Sequence, residues 1–175
     1  MIYQFDTFIK RDPDLIITDV QDIRNDDFLP LNEINKLNSN DFDPDYVEGA
    51  LLINIDGKVL SDLKMYDDID DLWAYLLNMT EELLIDRKSY SSFTFPDQPL
   101  KVEGKLISAS TLKLNIHNRS VNLAAQEFYG VVISRGSAFF KSLTDFFKID
   151  DLYDYQFQQI YRLKQVYQSR YNSLP

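Results

Sequence analysis

The 175-residue chain is 45% apolar and 14% aromatic with a net charge of −10, which is enough apolar surface for one folded domain and too much for a disordered acidic tail. It has no cysteine, so disulfide stapling, thiolate chemistry and cysteine metal sites are excluded. No stretch approaches the roughly 20 uncharged apolar residues of a membrane span, and Met1-Ile2-Tyr3-Gln4-Phe5-Asp6 lacks the basic-then-apolar order of a leader, so the expectation is a soluble cytoplasmic protein.

In chain order, the first 46 residues are punctuated by Asp12-Pro13, Leu29-Pro30 and Asp43-Pro44. That favours turns and short helices over long elements, with one short helix over Leu31 to Leu37. This acidic segment is expected to pack on a core formed by residues 47–175. The apolar run from Val47 to Ile55 meets Asp56-Gly57 and resumes at Lys58-Val59-Leu60, a hairpin signal. From Asp67 the period lengthens. Ile69, Leu72, Trp73, Leu76, Leu77, Thr80, Leu83 and Leu84 recur at three- and four-residue steps, predicting a helix with one buried stripe. Asp67, Asp68, Asp70 and Asp71 crowd its start, where the helix dipole favours carboxylates. Strands are predicted at Ser92 to Phe95, Leu100 to Ile107, Thr111 to Ile116 and Val121 to Leu123, turning at Pro96-Asp97-Gln98-Pro99 and at His117-Asn118-Arg119-Ser120. A helical pattern follows from about Ala124 to Phe147, although Phe128 to Ile133 also reads as a strand, and Gly130 and Gly136 mark either a break or a close contact. The last helix runs from about Asp150 to Tyr171, capped by Asp150-Asp151 and burying Leu152, Tyr153, Phe157, Ile160, Leu163 and Tyr167. Tyr155 and Tyr171 remain open between core and partner contact. The sum is an α+β fold, an antiparallel β-meander packed against several helices in a single domain.

No catalytic signature emerges. His117 is the one histidine. It sits in a predicted turn without a partner, so it serves neither as a triad base nor, alone, as a zinc site. The five glycines form no phosphate loop. Asp41, Asp43, Asp45 and Glu48 have the alternation of a calcium loop, but Pro44 and Tyr46 stand at its inner positions and the closing glutamate comes too early. Asp67 and Asp71, one turn apart, would suit acid–base work or magnesium only with supporting groups, and capping explains them as well. No cofactor and no metal is therefore expected, and the chain is read as a non-enzyme.

Charge supplies the remaining signal. Residues 1–71 hold eighteen Asp or Glu against six Lys or Arg, whereas residues 72–175 hold ten against twelve. Such asymmetry steers association with a basic surface and disfavours nucleic acid. The candidate partner-binding residues are Asp41, Asp43, Asp45, Asp67, Asp68, Asp70 and Asp71, with Tyr46 and Tyr66 as aromatic anchors. Two other readings stand beside this one: a structural or adaptor domain whose acidity serves solubility, and a carboxylate-based metal-dependent enzyme.

A wider resemblance rests on Glu48-Gly49-Ala50-Leu51-Leu52-Ile53 with Asp56-Gly57, then Asp71-Leu72-Trp73, Glu81-Glu82-Leu83-Leu84, Ser92-Phe93-Thr94-Phe95-Pro96-Asp97-Gln98-Pro99 and Phe128. In this order, over roughly residues 47–145, the chain resembles immunity proteins of bacterial polymorphic toxin and contact-dependent growth inhibition systems. The resemblance implies a small cytoplasmic protein that neutralises its cognate toxin by covering the active site or a nearby surface. It transfers no individual residue. A basic nuclease-type toxin would be the natural target of an acidic inhibitor.

Overall fold

The computed structural model describes residues 2–175, Met1 lying outside them. Among these residues the chain forms nine strands, three α-helices and five short 3-10 turns. The first sheet, ordered β2-β1-β3-β4, contains β1 (Tyr3–Lys10), β2 (Phe28–Pro30), β3 (Glu48–Ile55) and β4 (Lys58–Ser61), with β5 (Asp67–Asp68) paired to the start of β3. The second is an antiparallel meander of β6 (Tyr90–Thr94), β7 (Lys101–Leu106), β8 (Thr111–Ile116) and β9 (Arg119–Ala124). The fold is therefore α+β, with two antiparallel sheets rather than the one expected.

β1 corrects the reading of the N-terminal segment. Phe5, Thr7 and Ile9 alternate inward, as one buried face requires, and the strand pairs with β3 from Tyr3↔Ile55 to Ile9↔Gly49. Residues 3–10 thus form part of the core rather than a segment laid upon it. The predicted helix at 31–37 is a 3-10 turn, Leu31–Lys36. The hairpin holds as predicted, because Asp56 and Gly57 both take positive φ, 50° and 82°, the conformation that Asp-Gly supplies.

α1 (Ile69–Leu84) buries the whole predicted stripe. It begins two residues later than expected, because Asp67 and Asp68 are spent pairing with Gly49 and Glu48. Trp73 lies at the centre: its ring stacks on Phe139 at 5.9 Å and its Nε1 donates to Thr7 Oγ1 at 3.0 Å. That contact joins α1 to β1 and to α2 (Ala125–Phe147). α2 is unbroken, so residues 128–133 are helical. Both of its glycines are close-packing positions: a Cβ at Gly130 would lie 2.9 Å from the Tyr167 hydroxyl, and one at Gly136 would lie 3.4 Å from Trp73 and Leu77. α3 (Asp154–Tyr171) starts beyond Asp150-Asp151. These two occupy the preceding turn, and no side chain caps the helix. Tyr153, Ile160, Leu163 and Tyr167 are buried as predicted, whereas Leu152 and Phe157 are half-buried and Tyr155 and Tyr161 are exposed. One continuous apolar cluster draws on both sheets and all three helices. No helix among the described residues is long and apolar enough to cross a membrane.

Candidate functional site

The start of α1, the turn before β3 and the Pro96–Pro99 turn meet at one end of the molecule, and the predicted acidic residues divide there into a buried floor and an exposed rim. Asp67 belongs to the floor, being 3% exposed. Its Oδ1 accepts from the amides of Asp68 at 2.7 Å and Asp97 at 2.9 Å, and its Oδ2 accepts from the Gln98 amide at 2.9 Å. Burial raises its pKa and these amides oppose the rise. Asp67 is therefore a clamp that ties the 96–99 turn to β5, not a helix cap. The neighbouring Gln98 Nε2 donates to the Tyr66 carbonyl, while the half-buried Tyr66 ring packs on Phe28 at 5.8 Å. Tyr66 is thus structural rather than a free anchor.

Asp68, 7% exposed, makes no side-chain cap bond to α1, and its Oδ1 has no hydrogen-bond partner. Asp70 is half-buried. Its Oδ2 accepts from Tyr153 Oη of the α3 approach at 3.2 Å, and its Oδ1 is also unpartnered. Burial pushes the Asp68 carboxyl up to about 9, and hydrogen bonding to Asp70 adds to the rise. The physical reading is a carboxyl pair in which Asp68 keeps its proton at neutral pH and offers it to Asp70. Tyr153 is held neutral above its ordinary range by burial and by Asp70.

The rim consists of Asp45, Tyr46, Asp71 and Asp97, all exposed. Tyr46, 44% exposed, donates its hydroxyl to Asp97 Oδ2 at 2.7 Å, and burial together with Asp97 raises its pKa. Asp71 is raised by desolvation, then by Asp70 and Asp97. Asp43 accepts from the Asp45 amide at 2.9 Å and bridges to Tyr46, shaping the turn that carries the rim. Asp41 stands apart: it accepts from Asn38 Nδ2 at 3.2 Å and lines a shallow recess with Arg11, Asp12, Pro13 and Asp14.

Asp97 and Tyr153 were not anticipated as site residues. Asp97 reads only as turn punctuation and arrives across 30 residues of chain through its bond to Asp67. Tyr153 reads only as core. No group of three or more His, Cys, Asp or Glu side chains among the described residues is disposed to hold a metal ion. Exposed His117 occupies a two-residue turn at φ 55°. No family model, no curated protein and no solved structure matches the chain.

Proposed function

We propose that this chain is a non-catalytic acidic binding protein that neutralises a bacterial toxin, a basic nuclease-type effector, by covering its active site or an adjacent surface. One observation carries the reading. The described ion pairs of the molecule engage other carboxylates: Glu33, Glu48, Asp62, Glu81, Glu82, Glu103 and Asp145. Asp41, Asp43, Asp45, Asp67, Asp68, Asp70, Asp71 and Asp97 are absent from those pairs. Asp68 holds its proton and Asp67 is met by amides, so the charge that seeks a cationic partner and speeds the encounter with it is that of the exposed rim, Asp45, Asp71 and Asp97. A solubility role accounts less well for the patch, since hydration requires no carboxylates in the interior, where they cost stability.

The binding rim is Asp45, Tyr46, Asp71 and Asp97. Asp67 and Asp68 support it from beneath and are unsuited to direct contact. The test is association with the toxin domain encoded by the neighbouring reading frame, followed from roughly 0.1 to 1 M salt, a range over which charge screening tightens from about 10 Å to about 3 Å. The on-rate should fall steeply, and co-expression should rescue growth of cells making the toxin. A salt-independent on-rate would remove the electrostatic basis, and failure to rescue growth would remove the function.

A further inference from the structure

From Arg11 to Asp27 the chain runs between β1 and β2 for seventeen residues without a strand or an α-helix, and none of the seventeen is buried. Yet this segment carries five aliphatic side chains: Leu15, Ile16, Ile17, Val20 and Ile23. Ile16 is 83% exposed, Val20 41% and Leu15 36%. Single exposed apolar residues are ordinary on a surface. Three exposed in one loop that gives nothing to the core are not, with Ile17 and Ile23 half-buried beside them, and a loop of this length whose regular structure is two 3-10 turns, Val20–Asp22 and Asn25–Asp27, belongs to the class that is functional or a linker. The same segment holds six aspartates against two arginines, and Asp12, Asp14, Asp19, Asp22 and Asp26 are exposed.

The loop is closed at its base and tethered at its middle. The Arg11 amide donates to the Asp27 carbonyl at 2.9 Å, and Lys64 Nζ donates to Gln21 Oε1 at 2.9 Å. Asp12 and Asp14 share their recess with Asp41, so the loop borders the 39–46 segment that leads into the rim. An apolar tip set among carboxylates matches a protein surface of the opposite design: an apolar recess ringed by lysine and arginine.

We propose that residues 11–27 form the docking loop of this protein, inserting Leu15, Ile16 and Val20 into an apolar recess within the basic surface of the toxin. This rests on the function proposed above and assigns its apolar contact. The flanking aspartates steer the approach, and the aliphatic tip sets the lifetime of the complex.

The test uses the full chain and the same toxin domain, with Ile16→Ser and the Asp19→Asn/Asp22→Asn double variant measured by association and dissociation kinetics. Ile16→Ser should accelerate dissociation about tenfold or more, the loss expected on withdrawing a buried aliphatic side chain. The double variant should slow association and flatten its salt dependence. Both should unfold at the wild-type temperature, because neither changes the core. If wild-type protein binds and both variants match it, the loop is not the docking element and only this proposal falls. If wild-type protein does not bind the toxin domain, the proposed function falls and the loop assignment with it. A concentration-dependent dimer abolished by Ile16→Ser would make a second copy of this chain the occupant and also overturn the proposal.

Discussion

Asp67 and Asp68 are adjacent, of one type and both buried, yet their surroundings give them different work. Asp67 faces three backbone amides, and hydrogen bonds to a charged acceptor are each worth roughly 1.5–3 kcal/mol. Asp67→Asn presents an NH₂ group to an amide that needs an acceptor, so it should destabilise the protein by about 1–3 kcal/mol in chemical denaturation. Asp68 is opposed by one backbone amide only, that of Asp71, and burial with Asp70 beside it pushes its carboxyl up to about 9, above the ordinary value of 3.8. A raised carboxyl pKa means that the folded state holds a proton the unfolded chain has released. Its contribution is complete below about pH 4 and is lost as pH rises through about 9. Stability should therefore decline as pH rises from about 4 to about 9 and level off above that. Asp68→Asn keeps a donor toward Asp70 without an ionisable proton, so it should flatten that decline and raise the unfolding temperature at pH 9 relative to wild type. An unchanged pH profile in this variant would contradict the shared-proton arrangement.

Two junctions hold the elements together and offer separate tests. At the β1–β3 pair, a Cβ on Gly49 would lie 2.3 Å from the Phe8 carbonyl oxygen and 3.1 Å from Ile69. Neither is the free end of a flexible side chain, so relief requires moving strand β1 or helix α1. Gly49→Ala is expected to cost about 1–3 kcal/mol, as overpacking does elsewhere, and the loss should appear as a lower denaturant midpoint with unchanged slope. At the other junction Trp73 fills the space between α1 and Phe139 and satisfies the buried Thr7 hydroxyl. Trp73→Ala should cost about 3–5 kcal/mol, a large share of the 5–15 kcal/mol typical of domains. By contrast Tyr155→Ser and Tyr161→Ser on the exposed face of α3 should stay within about 0.5 kcal/mol of wild type.

Over the whole molecule the charge asymmetry becomes a division of labour. Acidic residues of the first 71 positions, joined by Asp97, form the loop proposed for docking, the rim and the buried floor, whereas ion pairs such as Lys101–Glu103 at 2.7 Å within the meander and Arg162–Glu81 at 3.2 Å between α3 and α1 engage carboxylates elsewhere. Charge reversal should therefore be tested on exposed positions. Asp45→Lys with Asp71→Lys is expected to slow association with the proposed basic partner while leaving unfolding temperature nearly unchanged. Reversal at Asp67 or Asp68 would instead unfold the site by burying an unpaired cation.

Local pattern was sufficient for the α+β class, the Asp56-Gly57 hairpin, the meander and the buried stripe of α1, because each depends on residues within a few positions of one another. It overlooked β1, whose period-two residues Phe5, Thr7 and Ile9 are blurred by Phe8 on the opposite face and followed by Asp12-Pro13, and which acquires meaning only opposite β3. It treated four neighbouring aspartates as equivalent. Whether Asp67 clamps a turn, Asp68 retains a proton or Asp71 meets solvent is set by residues 97, 98 and 153, brought in by tertiary contact. Sequence determined the amount and sign of the charge, since both are sums over composition. Only the fold decided which carboxylates face water and which face amides, because burial and hydrogen bonding depend on neighbours remote in the chain.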